Sequence, residues 1–222
     1  MSGILAVTVV TTKSRPHLLQ RKERQIALRR EHILQAAASE FASKGFDSAQ
    51  VGAIASQAEV SLASVYALFP SKEQLFHAVI ETTARSMRDA VRARVEDVAD
   101  PSERLLALID SLFACFEANG DLLRIYARAT HGLPWRIRQS MGDSAQEIFS
   151  EFTNWVRDLV SDALRHGRFG DVSSEALCLA LIGSVTTAAA AVAEETTSHS
   201  LAEIAAGVRS LFSRLLDGGA DR

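Results

Sequence analysis

Apolar residues recur along most of this chain at three- and four-residue spacing, and no run alternates in the two-residue rhythm of a strand. Ile33, Ala37 and Phe41 lie four apart and predict the buried face of a first helix, from about Arg21 to Lys44. Gly45 suits the left-handed backbone that stops such a helix. Val51, Ile54, Ala55 and Ala58 stand at relative positions 0, 3, 4 and 7, the pattern of a short second helix. Ser61 is placed to N-cap a third, from Leu62 to about Leu68, and Ser71 with Gln74 forms a capping box at the start of a long fourth, reaching towards Val98.

Punctuation continues through the rest of the chain. Asp100-Pro101-Ser102-Glu103 combines a cap, a first-turn proline and an early acid, and predicts a helix that runs to Asn119-Gly120. A short helix follows from Asp121 and stops near Gly132. Ser144 with Glu147 opens, or lies within, a helix ending at Gly167, whose start falls there or as early as Pro134. Two more helices are expected, from about Ser173 to Thr196 and from Ser200, boxed with Glu203, to Leu216. The fold class is all-α.

Composition narrows this picture. The 222 residues are 47% hydrophobic with four prolines and a net charge of −3, enough for one sizeable core or two smaller ones. Residues 1–76 hold nine Lys/Arg against six Asp/Glu, and the remainder holds 15 against 21, so a basic head precedes an acidic body. Cys115 and Cys178 sit among apolar residues and read as reduced thiols of a cytoplasmic protein. No histidine lies at ligand spacing from either, so no metal site and no cofactor is expected. The opening MSGILAVTVVTT lacks the basic segment and cleavage site of a signal peptide, and residues 1–20 are expected to be a disordered tail. The uncharged run Ala176–Ala193 has the length of a membrane span, but it is mostly Ala, Thr, Ser and Gly, and Glu194-Glu195 follows. A buried interface helix is the better reading, with no membrane partner.

Two short helices joined by Ala58-Glu59-Val60-Ser61 make a helix-turn-helix, in which one helix braces the core and the next enters the major groove of DNA. Ile54, Ala55, Val60, Val65 and Phe69 would hold the pair on the first helix, leaving Leu62, Ala63, Ser64, Tyr66 and Ala67 more exposed. Leu62 and Ala63 suit thymine methyls; Ser64 and Tyr66 can hydrogen-bond to bases. The third helix carries no charge. Phosphates are expected to be gripped from its flanks, by Lys72 at the start of the fourth helix and by Arg21, Lys22, Arg24, Arg29 and Arg30.

Ile33 to Phe76, reading ILQAAASEFASKGFDSAQVGAIASQAEVSLASVYALFPSKEQLF, resembles the DNA-binding domain of the tetracycline-repressor (TetR) family. The resemblance rests on Ala37, Phe41, Gly45-Phe46, Val51, Ile54-Ala55, Ala58, Val60-Ser61, Val65-Tyr66, Phe69 and Ser71 to Leu75. HGRFGDVSSEALCLALIGSV, starting at His166, is similar to the family's turn into its penultimate helix. The resemblance implies an N-terminal three-helix DNA-binding domain, residues 21–76, and a ligand-binding and dimerisation domain of about six helices, residues 77–222. It implies a homodimeric transcription repressor released from a near-palindromic operator by a small-molecule effector. Ser61, Leu62, Ala63, Ser64 and Tyr66 would read bases, and Lys72 would hold phosphate. The chain departs from the family's pattern in three places. Ala49-Gln50 replaces a Thr/Ser pair before the second helix, with Gln50 expected to replace part of its phosphate contact. Glu59 stands where Gly is common, and Leu68 where His or Tyr is frequent.

Beyond the head, Gly183, Ser184, Thr186, Thr187 and Ala188 to Ala191 give one helix a small-sided surface. Leu201, Ile204, Ala205, Val208, Leu211, Phe212 and Leu215 line the next. Residues 173–216 are therefore expected to build the dimer. Phe113, Phe116, Tyr126, His131, Trp135, Phe152 and Trp155 are candidate ligand-binding residues, in the resemblance's terms. No glycine-rich phosphate loop and no nucleophile-base motif supports an enzyme. The remaining alternative is a helical protein-interaction module that has lost specific DNA binding.

Overall fold

The computed structural model describes residues 15–130, 142–166 and 172–217. Nine α-helices follow one another among the described residues: α1 (Arg15–Ser48), α2 (Val51–Gln57), α3 (Leu62–Leu68), α4 (Lys72–Val95), α5 (Pro101–Ala118), α6 (Gly120–Thr130), α7 (Asp143–His166), α8 (Ser174–Ala193) and α9 (Leu201–Asp217). The all-α expectation holds for them.

Most predicted boundaries are made by the predicted caps. Ser61 accepts from Ser64 N, Ser71 from Gln74 N, and Asp100 from both Ser102 N and Glu103 N. Ser173 accepts from Ala176 N, and Ser200 and Glu203 form a reciprocal box. At Gly45 the backbone takes φ 75°, ψ 169°, a region open essentially to glycine, and α1 kinks there before a last turn to Ser48. The start of α1 differs from expectation. It is helical from Arg15, not Arg21, and residues 20–32 are exposed, so no buried stripe marks this part in the sequence. The question of a helix near Pro134 falls outside the described residues.

Two apolar cores form. The head core joins Ile33, Ala37 and Phe41 of α1 to Ile54 of α2, Val65 of α3 and Leu75 and Val79 of α4. The body core gathers Leu105, Leu108 and Ile109 of α5 with Val160 of α7, Leu181 and Val185 of α8 and Phe212 of α9. α4 belongs to both: its N-terminal turns enter the head core, while Val91 and Val95 enter the body core. α8 is long and apolar enough to cross a membrane, but Leu177, Leu181, Val185 and Ala189 are buried inside the body. Cys178 is buried and Cys115 half-buried, and burial raises both thiols above their ordinary range.

Candidate nucleic-acid interface

The chain turns through 104° between α2 and α3, within the roughly 90–120° of a helix-turn-helix. The turn is a Schellman closure: Val60 N–H reaches Ala55 O at 3.0 Å and Glu59 N–H reaches Ser56 O at 3.2 Å. It forces Glu59 to φ 54°, as the departure from glycine implied, at a cost of about 1 kcal/mol. Val65 is fully buried and Phe69 nearly so, which fixes α3 about its axis. The opposite face carries Leu62 and Tyr66, 46% and 45% exposed, with Ser61, Ala63 and Ala67 also exposed and Ser64 half-buried. The Ser61 and Ser64 hydroxyls lie 2.8 Å apart. One proton of that pair is spent between them and the other is left for an outside acceptor.

The flanking cations divide into two kinds. Arg21, Lys22, Arg24 and Arg29 are exposed on α1, and Arg30 stacks over the Phe69 ring at 5.3 Å. Lys72, at the start of α4 as expected, is half-buried and already engaged within the head. Its ammonium donates to Asp47 O at 3.1 Å and Ala49 O at 3.3 Å, above the Phe46 ring at 4.7 Å. It satisfies carbonyls around the end of α1, and these two bonds use two of its three N–H groups. Gln50 is exposed at the N-cap of α2, but its side chain makes no cap bond there.

Sequence reasoning missed Glu40. It is 8% exposed, accepts from Gln50 N–H at 3.1 Å and pairs with Lys44 at 3.0 Å, and so clasps the α1 end to the α2 start. An acid flanked by Ala36, Ala37 and Phe41 on a buried helix face was the available signal. Burial works to raise this carboxyl, but the Gln50 and Lys44 interactions outweigh it and hold it below the ordinary carboxylate value. A lowered folded-state value means stability that is present above the unfolded value, about 4.3, and lost as pH falls through the folded one. Glu40→Gln should cost about 1 kcal/mol at neutral pH and flatten the acid sensitivity below about pH 4, measured by urea titration.

A cavity of about 110 Å³ lies in the body beside the head, between α4, α5, α6, α7 and α8. Phe116, Tyr126 and Phe152, three of the aromatic candidates, are on its wall with Met87, Ile148 and Val185. Burial pushes the Tyr126 phenol far up. Phe113 and Trp155 are not on the wall. Phe113 is one residue, about 100° of helix, from the lining Leu112, and points into the body core. Trp155 packs on Phe152, and its ring is covered by the Arg92 guanidinium at 5.2 Å. His131 and Trp135 fall outside the described residues. Ile80 and Ile125 line the cavity and also belong to the head core, so one set of side chains touches both sites. α6 adds a direct tie, Arg128 Nη2 donating to Ser43 O of α1 at 3.2 Å.

A family model described as Bacterial regulatory proteins, tetR family, matches residues 33–79. Nucleoid occlusion factor SlmA of Aliivibrio fischeri is 31% identical over 161 residues, 71% of this chain and 80% of that protein. The chain belongs to the TetR family. Solved structures agree on the TetR fold. A TetR-like transcriptional regulator from Rhodococcus has a TM-score of 0.67 at 23% identity, covering 86% of this chain and 97% of its own. The regulator FadR from Bacillus subtilis, in complex with stearoyl-CoA, also has a TM-score of 0.67, at 18% identity, covering 85% and 98%. In this TetR-family chain the fold is that of DNA-binding transcription regulators, with an N-terminal helix-turn-helix and a helical C-terminal body.

Proposed function

We propose that the protein is a homodimeric repressor that reads a near-palindromic operator with Leu62, Ala63, Ser64 and Tyr66 and is released by an apolar small molecule. The observation that carries the DNA reading is α3 itself: locked by Val65, uncharged, and exposed along one side. Exposed cations stand on α1, whose Arg30 covers the Phe69 ring at the end of α3, and small neutral side chains permit close approach to base edges. Gly183 of α8 and Gly207 of α9 have nothing within 4 Å of where a Cβ would lie, so packing within one chain does not require their smallness. That supports α8 and α9, residues 173–216, as the surface where two chains approach. The cavity supports the effector: its wall includes Ile80 and Ile125 of the head core, so a ligand that moves α4 or α6 shifts the population of DNA-competent heads by its differential affinity.

Selection of bound duplexes from a random pool, followed by band-shift titration, tests this. Tyr66→Ala should weaken the selected site by about 1–3 kcal/mol and relax its sequence preference. Lys72→Ala should weaken all sequences alike and reduce the salt slope by about one. It should also destabilise the head, since Asp47 O and Ala49 O lose their donor. No duplex preference at low salt would leave only the protein-interaction reading. The relatives named nucleoid occlusion factor favour a second reading, in which the dimer acts on DNA without an effector. Filling the cavity would then leave operator affinity unchanged.

A further inference from the structure

Beside the apolar cavity lies a second, open cleft of about 420 Å³ between α4 and α5. We infer that this cleft is the head-group subsite of one continuous binding site, and that its ligand is an elongated amphiphile with an oxyanion head and a single apolar tail. The inference rests on the effector reading above and names the effector's class.

Three side chains, Thr83, Met87 and Leu122, line both spaces. They form a partition reached from either side. Met87, partly buried, is its most adaptable part, an unbranched thioether that swings between rotamers. The two sides differ in chemistry. The inner cavity is almost wholly apolar, and its one cation, Arg88, is already bound by Asp89 at 2.8 Å and Glu151 at 3.7 Å. It offers nothing to a charged group. At about 110 Å³ it is of the order of the ~150 Å³ cavity known to take a benzene, so it admits a slender tail and no bulky head.

The cleft offers donors and no carboxylate. Arg94 lies on its wall, exposed, with no ion-pair partner among the described residues, whereas Arg85, Arg88, Arg104 and Arg209 each have one. Asn119 also lines it. Its side-chain oxygen is spent accepting from Leu122 N–H at 3.0 Å, which leaves the amide NH₂ to donate. Ser86 adds a hydroxyl. A planar guanidinium beside an amide suits a carboxylate or phosphate gripped by two N–H groups. Arg94 is seven residues beyond Met87, two turns on the same helix face and about 10 Å along α4, so a ligand reaching both must be elongated. A tail longer than the present cavity must displace helices of its wall, among which α4 and α6 are tied to the head.

Calorimetric titration of the full chain with decanoate, decyl phosphate, decanol and decyltrimethylammonium tests this. At least one anion should bind about tenfold more tightly than decanol, and the cation more weakly than decanol; which anion is preferred reports carboxylate or phosphate. Arg94→Gln should abolish the anion's advantage and leave decanol unchanged, while Arg85→Gln on the same helix should change neither. Met87→Trp should weaken decanoate and decanol alike by closing the partition. Equal binding of anions and decanol, an anion preference that survives Arg94→Gln, or no binding by any probe overturns the inference. A band-shift arm separates it from the DNA reading: selective anion binding without DNA binding removes the repressor and keeps the site, and DNA binding without anion preference does the reverse.

Discussion

Phe41→Ala should unfold the DNA-binding head at a denaturant concentration where the body still holds. Phe41 is 1% exposed and is the centre of an aromatic group, its ring 5.0 Å from Phe76 of α4 and 6.1 Å from Phe46 beyond the Gly45 kink. Truncation there removes contacts from three segments at once: α1, the turn into α2, and the start of α4. A Phe→Ala change at a site of this kind costs about 3–5 kcal/mol, comparable with the ~5–15 kcal/mol that holds a whole domain together. The body core is built from other residues, Leu105, Ile109, Val160 and Leu181 among them, and none of these touches the aromatic group. Urea unfolding followed by circular dichroism should therefore split into an early head transition and a late body transition, and operator affinity should fall with the population of folded heads. Phe41→Leu, which keeps most of the volume, should lie between. A single transition shifted by less than about 1 kcal/mol would mean that the head collapses around the void, against the residual-cavity cost seen in close-packed cores.

What could be read from the residues follows from where the physics is local. Caps are local: Ser61, Ser71, Asp100, Ser173 and Ser200 sit within three residues of the donors they satisfy, and each begins its helix where expected. The same holds for Glu59, because a Schellman turn fixes the backbone whatever side chain occupies it. Burial is not local. The exposed stretch of α1 before Ile33 has no apolar stripe, so its helix began earlier than periodicity could mark. The cavity is the extreme case. Phe116 and Phe113 are both buried on α5, and only the packing of α4, α6 and α8 around that helix decides that one meets empty space and the other meets neighbours. Half of the wall is aliphatic or threonine from α4, α7 and α8, residue types that periodicity assigns to any core. Lys72 was legible as a cation at a helix start, but its bonds to Asp47 O and Ala49 O join residues more than twenty positions apart.

Leu179→Glu combined with Leu211→Glu should yield a folded monomer with at least about 100-fold weaker operator binding. Leu179 on α8 is 64% exposed and Leu211 on α9 is 56% exposed, with Leu215 one turn further at 43%. Large aliphatic side chains gathered on two neighbouring helices are unusual on a surface that stays wet. Gly183 and the exposed, uncharged Thr187 follow Leu179 at four-residue spacing, and Gly207 precedes Leu211 by four, so they share the helix faces of the two leucines; a Cβ at either glycine would meet nothing within 4 Å. Because the two leucines are outside both cores, acids there should cost one chain little. In the proposed two-fold interface each substitution occurs twice, so the pair adds four carboxylates, against which each chain offers the exposed Arg214 one turn from Leu211. The loss at DNA comes from geometry and not from α3. Two linked heads bind a palindrome with an effective local concentration that is worth about 10²–10⁴ over one head alone, and separation forfeits that factor while each half-site contact survives. Light scattering across a dilution series reports the mass, and a band shift on one and two half-sites reports the affinity. A dimer of unchanged mass would move the interface away from α8 and α9. A monomer that still held the full site as tightly as the parent would remove the two-headed mode of binding altogether.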